Sequence, residues 1–228
     1  MNRSYKKELL DGNDIPFAAI RQNMKELDFI NTHLGGHAIT IKGFRQLAQN
    51  KKEIRVCEIG CGGGDNMLAI YNWCHKNNIT VQLTGIDYNK NCIRVARSQL
   101  PVQDTQFITA DYKAVNFGNE KPDIIFSSLF CHHFTNEELV YMLGWMHENA
   151  GIGFFINDLH RHFLAYYFIK ILTGLFSKSY LVKNDAPLSV QRGFIKKEWE
   201  GLLKQSVPDN YSIEWKWAFR WLIISRHS

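Results

Sequence analysis

The sequence predicts an α/β fold in which a mostly parallel sheet is covered by helices. The apolar run at 54–59 ends in a glycine cluster, and the residues after it repeat apolar side chains at helical spacing. A strand, a tight turn and a helix in this order typically open a nucleotide-binding α/β domain. Further short apolar runs at 81–87, 106–112, 122–134 and 153–158 alternate with helical stretches, as βα repeats do.

The composition indicates a single domain with a covering segment. The 228 residues are 45% hydrophobic and 21% charged, which is ordinary for a chain that buries a sizeable core. The net charge of +5 comes from scattered lysines and arginines, so no nucleic-acid partner is expected. Five cysteines, an odd number, are typical of reduced thiols, and we expect a cytoplasmic protein without a signal peptide or membrane span.

The sequence pattern of the glycine cluster indicates which class of ligand the loop binds. Its pattern Glu58-x-Gly60-x-Gly62-x-Gly64 lacks the Lys and Ser/Thr of a phosphate-cradling loop and departs from the dinucleotide fingerprint at its last position. Glycines let a ligand lie against the backbone, and an acid two residues before the first glycine favours a cationic ligand over a pyrophosphate. Asp65 stands where the N-cap of the next helix is expected.

This pattern resembles the first motif of class I S-adenosylmethionine-dependent methyltransferases. The resemblance implies S-adenosylmethionine as cofactor and a Rossmann-like, seven-stranded, mostly parallel sheet whose last strand is antiparallel. The final two strands of such a sheet are expected at 211–217 and 219–225. The resemblance also implies that Glu58, Gly60, Cys61 and Gly62 contact the cofactor.

Three later strand ends carry the other predicted cofactor residues. Asp87 ends the second strand, where an acid accepts from ribose hydroxyls in nucleoside-binding domains, and Tyr88 beside it is suited to pack on the adenine. An N-cap of the following helix is an alternative role for Asp87. By resemblance, Asp111 accepts from the adenine amino group, Tyr112 lines the ring, and Ser128 borders the cofactor at the exit of the fourth strand.

The segment at the exit of the fourth strand, residues 127–134, indicates which class of molecule accepts the methyl group. It lacks the Asn/Asp-Pro-Pro-aromatic motif of base-amine methyltransferases, and the chain has no Pro-Cys pair for attack on a pyrimidine carbon. It resembles the Leu-His-His-Leu/Phe segment of small-molecule methyltransferases, including the ubiquinone and menaquinone type, and the His-x-Trp segment of plant-type O-methyltransferases. The resemblance implies that His132 deprotonates a substrate hydroxyl, for which an ordinary histidine pKa is suitable. A helix-terminal or core role is the alternative.

A second candidate base, His160, follows the fifth strand. Catalytic groups gather at the carboxyl ends of parallel strands, which favours this position. We expect no metal site here, because Asp158, His160 and His162 are two residues apart and would not share a helix face. We expect none at Cys57 and Cys61 either, because they lack a second pair of ligands.

Two segments outside the sheet are expected to enclose the ligands. Residues 1–50 predict an N-terminal helical cover, with packing on the sheet edge as the alternative, and residues 159–205 predict a helical insertion. The aromatic helix in the insertion favours a lid over an apolar pocket, and interfacial attachment to a membrane is the alternative. This segment resembles methyltransferases of polyketide-type aromatic pathways, which implies substrate roles for Arg161, Tyr166 and Arg192. A surface salt bridge is the alternative for Arg192.

These observations lead to several hypotheses about function. The partner is expected to be a small aromatic or lipophilic molecule, with peripheral membrane contact and oligomeric state left open. A nucleic-acid or protein methyltransferase and a cofactor-binding protein without catalysis are alternatives, as is C-methylation of the quinone-biosynthesis type, since a phenolate also activates its ortho carbon. The leading hypothesis is O-methylation of a small phenolic, polyketide-like or quinol acceptor with a histidine as general base.

Overall fold

Seven strands form one sheet in the order β3-β2-β1-β4-β5-β7-β6. The computed structural model describes residues 1–12, 14–101, 103–207 and 210–227. The strands are β1 (Glu53–Ile59), β2 (Thr80–Asp87), β3 (Thr105–Thr109), β4 (Ile124–Ser128), β5 (Gly153–Leu159), β6 (Tyr211–Lys216) and β7 (Arg220–Arg226). β1 to β5 pair in parallel, and β7 is antiparallel to both β5 and β6. The expected seven-stranded, mostly parallel sheet with an antiparallel last strand is confirmed.

Helices cover both faces of the sheet. They are α1 (Phe17–His33), α2 (Gly36–Ala48), α3 (Asp65–Lys76), α4 (Lys90–Arg97), α5 (Asn136–Asn149), α6 (Phe163–Phe176), α7 (Tyr180–Arg192) and α8 (Lys196–Ser206). One core cluster lies between the sheet and α5 with α8, and another lies between the sheet and α2 with α3. Because both faces are covered, β4 and β5 are buried almost throughout and read as continuous apolar runs.

Two expected helix caps differ from those in the structure. Gly64, in the left-handed conformation, is the N-cap of α3, and Asp65 is instead its first helical residue. The Asp65 carboxylate accepts from the side-chain amide of Asn31, 2.8 Å away, and so ties α1 to α3. Asn89, and not Asp87, caps α4. Asp87 is therefore available at the end of β2 for another role.

An extended segment precedes the helices of the N-terminal cover. Residues 1–12, which we call the N-terminal strap, are extended apart from a single 3-10 turn at Leu9–Asp11, and α1 starts only after Pro16. The strap crosses α7: the Ser4 N–H donates to the Gln191 carbonyl, and the Asp185 carboxylate accepts from the N–H groups of Leu9 and Leu10. The strap backbone therefore finds its partners on α7 and not within a helix of its own.

The insertion between β5 and β6 is helical, as expected. It consists of α6, α7 and α8. Ala165 and Ile169 of α6 pack with Val190 of α7, and Ile30 and Leu34 of α1 lie against this small core. The insertion and α1 thus lie together beside the carboxyl end of β5. Among the described residues, no helix combines the length and apolar character needed to cross a bilayer.

Candidate active site

A cleft of about 410 Å³ opens at the carboxyl ends of the parallel strands. Ligands of open α/β sheets bind at this edge, where neighbouring strands diverge. All nine residues expected to contact the cofactor line the cleft: Glu58, Gly60, Cys61, Gly62, Asp87, Tyr88, Asp111, Tyr112 and Ser128. Side chains of α1 close it from above, among them Met24, Leu27 and Asn31. The structure therefore brings the predicted residues into one site.

The glycine loop is built so that a ligand reaches bare backbone. Gly60 and Gly62 have φ angles of 68° and 50°, which favour glycine strongly. A Cβ on Gly60 would lie only 2.3 Å from the ring of Phe130, which packs across the loop. The N–H groups of Gly60 and Cys61 donate to the Ile86 carbonyl and hold the loop against β2. Both the backbone conformation and the space thus require glycine at position 60.

Glu58 is a buried carboxylate without a partner for its second oxygen. No described residue hydrogen-bonds to its Oε2, although the side chain is almost fully buried. Burial, with the charges of Asp65 and Asp87 adding, raises the pKa of Glu58 well above its ordinary value. An unpaired buried carboxylate of this kind favours a cation at the site. This arrangement fits the ammonium and sulfonium groups of S-adenosylmethionine.

Asp87 organises the wall of the cleft next to the loop. Its Oδ2 accepts from the Gly62 N–H at 2.9 Å and its Oδ1 from the Asn89 N–H at 2.8 Å. Burial raises the pKa of Asp87, and the two N–H donors act in the opposite direction. Its carboxylate therefore faces the cleft in a fixed orientation, with acceptor capacity left for a ligand hydroxyl.

The far end of the cleft offers polar atoms for a nucleoside. The hydroxyls of Tyr112 and Ser128 are buried and have no partner among the described residues. The Tyr112 ring packs edge-on against Trp145, 5.2 Å between centroids, which fixes its position. Tyr88 is more than half exposed and leaves one aromatic face open. Asp111 accepts from the Lys113 N–H and starts a short 3-10 turn.

A second cavity of about 140 Å³ adjoins the cleft and is mainly apolar. Both cavities are lined by Leu10, Leu27, Leu129 and His133, so these residues mark their junction. Leu129 has a φ of 51°, a costly conformation for a side chain that branches at Cγ. The apolar wall comes from α1, α6, α7 and the start of β7, and includes Ile30, Leu34, Ala165, Phe168, Ile169 and Phe219.

His132 lies on the polar wall of this second cavity between two carboxylates. Its Nδ1 is 2.8 Å from Oδ1 of Asp158, and its Nε2 is 3.4 Å from Oε1 of Glu8. Burial disfavours the imidazolium, but the charges and hydrogen bonds of Asp158 and Glu8 outweigh burial and raise the pKa of His132 to about 9. The same pairing lowers the pKa of Glu8 and of Asp158. Near neutral pH the three groups form a buried ion-pair chain.

Glu8 reaches this position because the strap is anchored on both sides of it. The Ser189 hydroxyl donates to Glu8 Oε1 at 2.7 Å, and Nε2 of His133 lies 3.8 Å from Glu8 Oε2. The Arg192 guanidinium donates to the carbonyls of Lys6 and His132. Arg192 therefore fastens the strap to the exit of β4, and it also lines the cleft.

Two clusters bring three possible metal-ligand atoms within 4.8 Å of one another: Glu8, His132 and His133, and Asp28, His37 and Asp65. In the first cluster Nε of Arg192 lies 4.0 Å from the Glu8 carboxylate, and His132 carries its own positive charge near neutral pH. In the second cluster His37 lies 2.9 Å from Asp65. Ion pairing accounts for the first arrangement, and the hydrogen bond between His37 and Asp65 accounts for the second.

Three of the expected site residues line neither cavity. The guanidinium of Arg161 makes two hydrogen bonds to the Glu198 carboxylate and others to the carbonyls of Gly193 and Met1, so it links the insertion to the strap. His160 packs on Trp221, 4.9 Å between centroids, and its Nδ1 accepts a hydrogen bond from the Trp215 indole N–H. Tyr166 belongs to the core between α6 and α7.

Three residues of the site have no catalytic or binding role predicted from the sequence. For Asp158 the sequence raises only a metal site, although its position at the carboxyl end of β5 favours a role in the site. Glu8 lies within the predicted N-terminal cover, but nothing in the sequence connects it to His132. Asn23 of α1 lines the second cavity with a buried amide nitrogen that lacks a partner among the described residues.

Comparisons with known proteins agree with this geometry. Residues 56–149 match the family model described as methyltransferase domain. The plantazolicin methyltransferase BpumL in complex with SAH has a TM-score of 0.65 at 20% identity, over 92% of this chain and 89% of that chain. Human N-acetylserotonin methyltransferase in complex with SAM has a TM-score of 0.67 at 12% identity, over 93% and 57%.

A further similar structure is magnesium protoporphyrin IX methyltransferase from Synechocystis PCC 6803 with bound SAH, with a TM-score of 0.56 at 14% identity over 95% of this chain and 90% of that chain. No curated protein sequence matches this chain. At such identities the structural likeness shows the fold, and the family model shows the domain. Residues 56–149 therefore match a methyltransferase domain, and the chain as a whole has the fold of the methyltransferases with bound SAM or SAH to which it is similar.

Proposed function

We propose that this enzyme methylates a hydroxyl of a small aromatic acceptor, a phenol or quinol with lipophilic character. The observation that carries the proposal is the junction of the two cavities at Leu129 and His133, beside His132. The larger cavity suits a nucleoside with a cationic group, and the smaller one is lined mostly by apolar side chains. Residues 1–50 and 159–205 act as cover and lid, since α1, α6 and α7 line the cavities.

In the cleft, we assign Glu58 and the loop around Gly60 and Gly62 to the amino-acid end of the cofactor. Asp87 accepts from the ribose hydroxyls, and Asp111, Tyr88 and Tyr112 contact the adenine. When bound, S-adenosylmethionine supplies an electrophilic methyl group on a sulfonium. The chain then has to hold the acceptor oxygen in line with that methyl group, and positioning of this kind provides a large part of the rate.

His132 is the proposed base, with Asp158 as the residue that orients it. A phenol with a pKa near 10 is a weak nucleophile at neutral pH, and its phenolate is a strong one, so removal of the proton is useful. His132 lines the smaller cavity, which we assign to the acceptor and call the acceptor cavity, and its Nε2 lies 3.4 Å from Oε1 of Glu8. The acceptor hydroxyl takes the place of the Glu8 carboxylate at Nε2, which removes one of the two charges that keep the imidazole protonated.

The remaining polar atoms of the small cavity select the acceptor. The buried amide nitrogen of Asn23 donates to a second acceptor oxygen, and Arg192 meets an acidic or phenolate group at the junction. The same phenolate presents its ortho carbon, so C-methylation is the second candidate reaction. Mass spectrometry together with NMR of the product separates the two reactions.

Replacement of the two candidate histidines tests the proposal. We expect His132→Ala to lower kcat about 100-fold or more on an accepted phenol, within the usual range for general bases, and to leave S-adenosylmethionine affinity unchanged. His160→Ala is the matched control, because His160 lies outside both cavities and should retain activity. Full activity in His132→Ala, or a cofactor affinity lost with it, would contradict the assignment.

A further inference from the structure

The solvent-facing side of α6 is apolar along its whole length. Six side chains there are each more than half exposed: Phe163, Leu164, Tyr167, Phe168, Ile171 and Leu175. Their spacing of three and four residues places them on one face, which we call the α6 face. The opposite side of the helix is buried through Ala165, Ile169 and Thr173. A continuous exposed stripe of this kind marks an interaction site.

The charges around the α6 face are positive. Between residues 163 and 184 the sequence has Lys170, Lys178 and Lys183, all exposed, and no Asp or Glu. Glu26 of α1 reaches the linker after α6, but its carboxylate accepts from the N–H groups of Lys178 and Ser179 and from the Ser177 hydroxyl. The rim therefore complements an anionic surface.

Aromatic side chains extend the α6 face toward the last two strands. The His162 ring stacks on Phe163 at 4.8 Å and on Phe219 at 5.0 Å between centroids. Phe219 contacts Trp215, which is 48% exposed, and Trp217 in the next turn is 69% exposed. Tryptophan favours the boundary between polar headgroups and acyl chains, because its ring is apolar and its N–H needs a polar partner.

The α6 face also borders the acceptor cavity. Phe168 lines that cavity and is half exposed, so one side of its ring faces the interior and the other faces the surroundings. A molecule with an apolar tail has a continuous apolar path from the α6 face to the cavity. No hydrophilic side chain of α6 interrupts this path, since Lys170 lies at the edge of the stripe over Tyr166.

We propose that the α6 face docks on an anionic lipid bilayer. The 14 residues of α6 measure about 21 Å, shorter than the roughly 30 Å hydrocarbon core, so the helix lies in the plane of the interface. Its apolar stripe enters the boundary of headgroups and acyl chains, and the three lysines meet lipid phosphates. A lipophilic acceptor then enters the cavity from the bilayer past Phe168, a consequence that rests on the proposed function.

Vesicle flotation of the full chain, without acceptor or cofactor, tests the docking. Vesicles of phosphatidylcholine containing one quarter phosphatidylglycerol should bind the protein at low salt, and vesicles of phosphatidylcholine alone should bind it more weakly. The double variant Ile171→Glu/Leu175→Glu should lose binding to both. Tyr141→Glu on α5, at a side chain 53% exposed, is the matched control and should bind as the wild type does.

A charge series completes the test. Lys170→Gln/Lys178→Gln/Lys183→Gln should weaken partitioning onto the anionic vesicles about 100-fold, as expected from three juxtamembrane lysines. The matched control removes three exposed lysines elsewhere, through Lys76→Gln/Lys90→Gln/Lys204→Gln, and should have a smaller effect. Circular dichroism melting shows whether each variant is folded, and all the replaced side chains are exposed.

Two results would overturn the docking proposal. One is equal flotation of wild type and the Ile171→Glu/Leu175→Glu variant, or no flotation of either. The other is a dimer in light scattering that this variant abolishes while vesicles bind neither protein, which would assign the α6 face to a second copy of the chain. Vesicle binding without methyl transfer to any phenol would instead count against the proposed function alone.

Discussion

The cofactor cleft and the acceptor cavity are neighbours, but they are assembled in opposite ways. The predicted cofactor residues lie between positions 58 and 128, at the ends of β1 to β4. The acceptor cavity combines the N-terminal strap, α1, the exit of β4, the insertion helices and the start of β7. The cleft therefore follows from local motifs on one sheet edge, and the cavity follows from packing between distant parts of the chain.

The two sites also differ in how they hold negative charge. In the cleft, Glu58 is buried with one oxygen unpaired, which leaves it ready for a cationic ligand. In the cavity, the carboxylates of Glu8 and Asp158 are paired with His132. An unpaired charge gives affinity when the ligand arrives, whereas a paired one has to be displaced or reorganised first.

The largest effect is expected from Gly60→Ala, which disrupts the conformation and packing of the glycine loop in the cleft. The methyl group would meet Phe130 at 2.3 Å, and the φ of 68° strains any residue with a Cβ. We expect S-adenosylmethionine affinity, measured by calorimetry, to fall at least about 100-fold. The melting temperature should fall by more than the roughly 2–4 °C that 1 kcal/mol causes in a protein of this size.

Gly118→Ala is the matched control for that experiment. Its φ of 54° carries a similar backbone cost, but no atom lies within 4 Å of the added Cβ. It should lower the melting temperature modestly and leave cofactor affinity unchanged. Equal losses of affinity in the two variants would show that backbone strain alone, and not the close contact with Phe130, explains the loss of cofactor affinity.

An intermediate effect is expected from Glu58→Gln, which separates binding from stability. Affinity for S-adenosylmethionine should fall about 10- to 100-fold, because a charge-assisted contact is lost. Since burial raises the pKa of Glu58, the wild type loses stability as pH rises above the ordinary carboxyl range. The variant should therefore melt at a higher temperature near pH 7, and this gain should vanish at low pH. Unchanged affinity would contradict the role of Glu58.

The smallest effect is expected from Glu8→Gln, which tests the paired charges of the cavity. With the pKa of His132 raised to about 9, its neutral form predominates only above that pH, so kcat/KM of the wild type should rise with pH toward 9. Removing the Glu8 charge lowers the pKa of His132 and should move this rise to lower pH, with several-fold higher kcat/KM near pH 7.

The stability of the same variant has a predictable sign. The ion pairs of His132 stabilise the fold fully below its ordinary pKa near 6.5 and are lost as pH rises through about 9, so Glu8→Gln should cost stability mainly at neutral and acidic pH. Asp11→Asn is the control, because Asp11 contacts His133 and not His132. An identical pH profile in wild type and Glu8→Gln would contradict the coupling.

Some site residues were predictable because the sheet places strand ends together. Glu58 and Asp87 lie at the carboxyl ends of β1 and β2, and Asp111 follows β3, so all three must lie at the same edge. His160 and Arg161 also follow such a strand, but antiparallel β7 pairs beside β5 there and draws them toward Trp221 and Glu198. Asp158, which still lies within β5, contacts His132 instead.

The sequence by itself determined the sheet, the glycine loop and the identity of the cofactor, because each depends on short-range patterns of apolar residues and glycines. The tertiary structure decided the smaller cavity, which we propose for the acceptor. Glu8 and His132 are separated by more than half of the chain, and they meet because the strap hydrogen-bonds to α7. Side chains that act together across such separations are joined by packing, and no local pattern encodes which of them will meet.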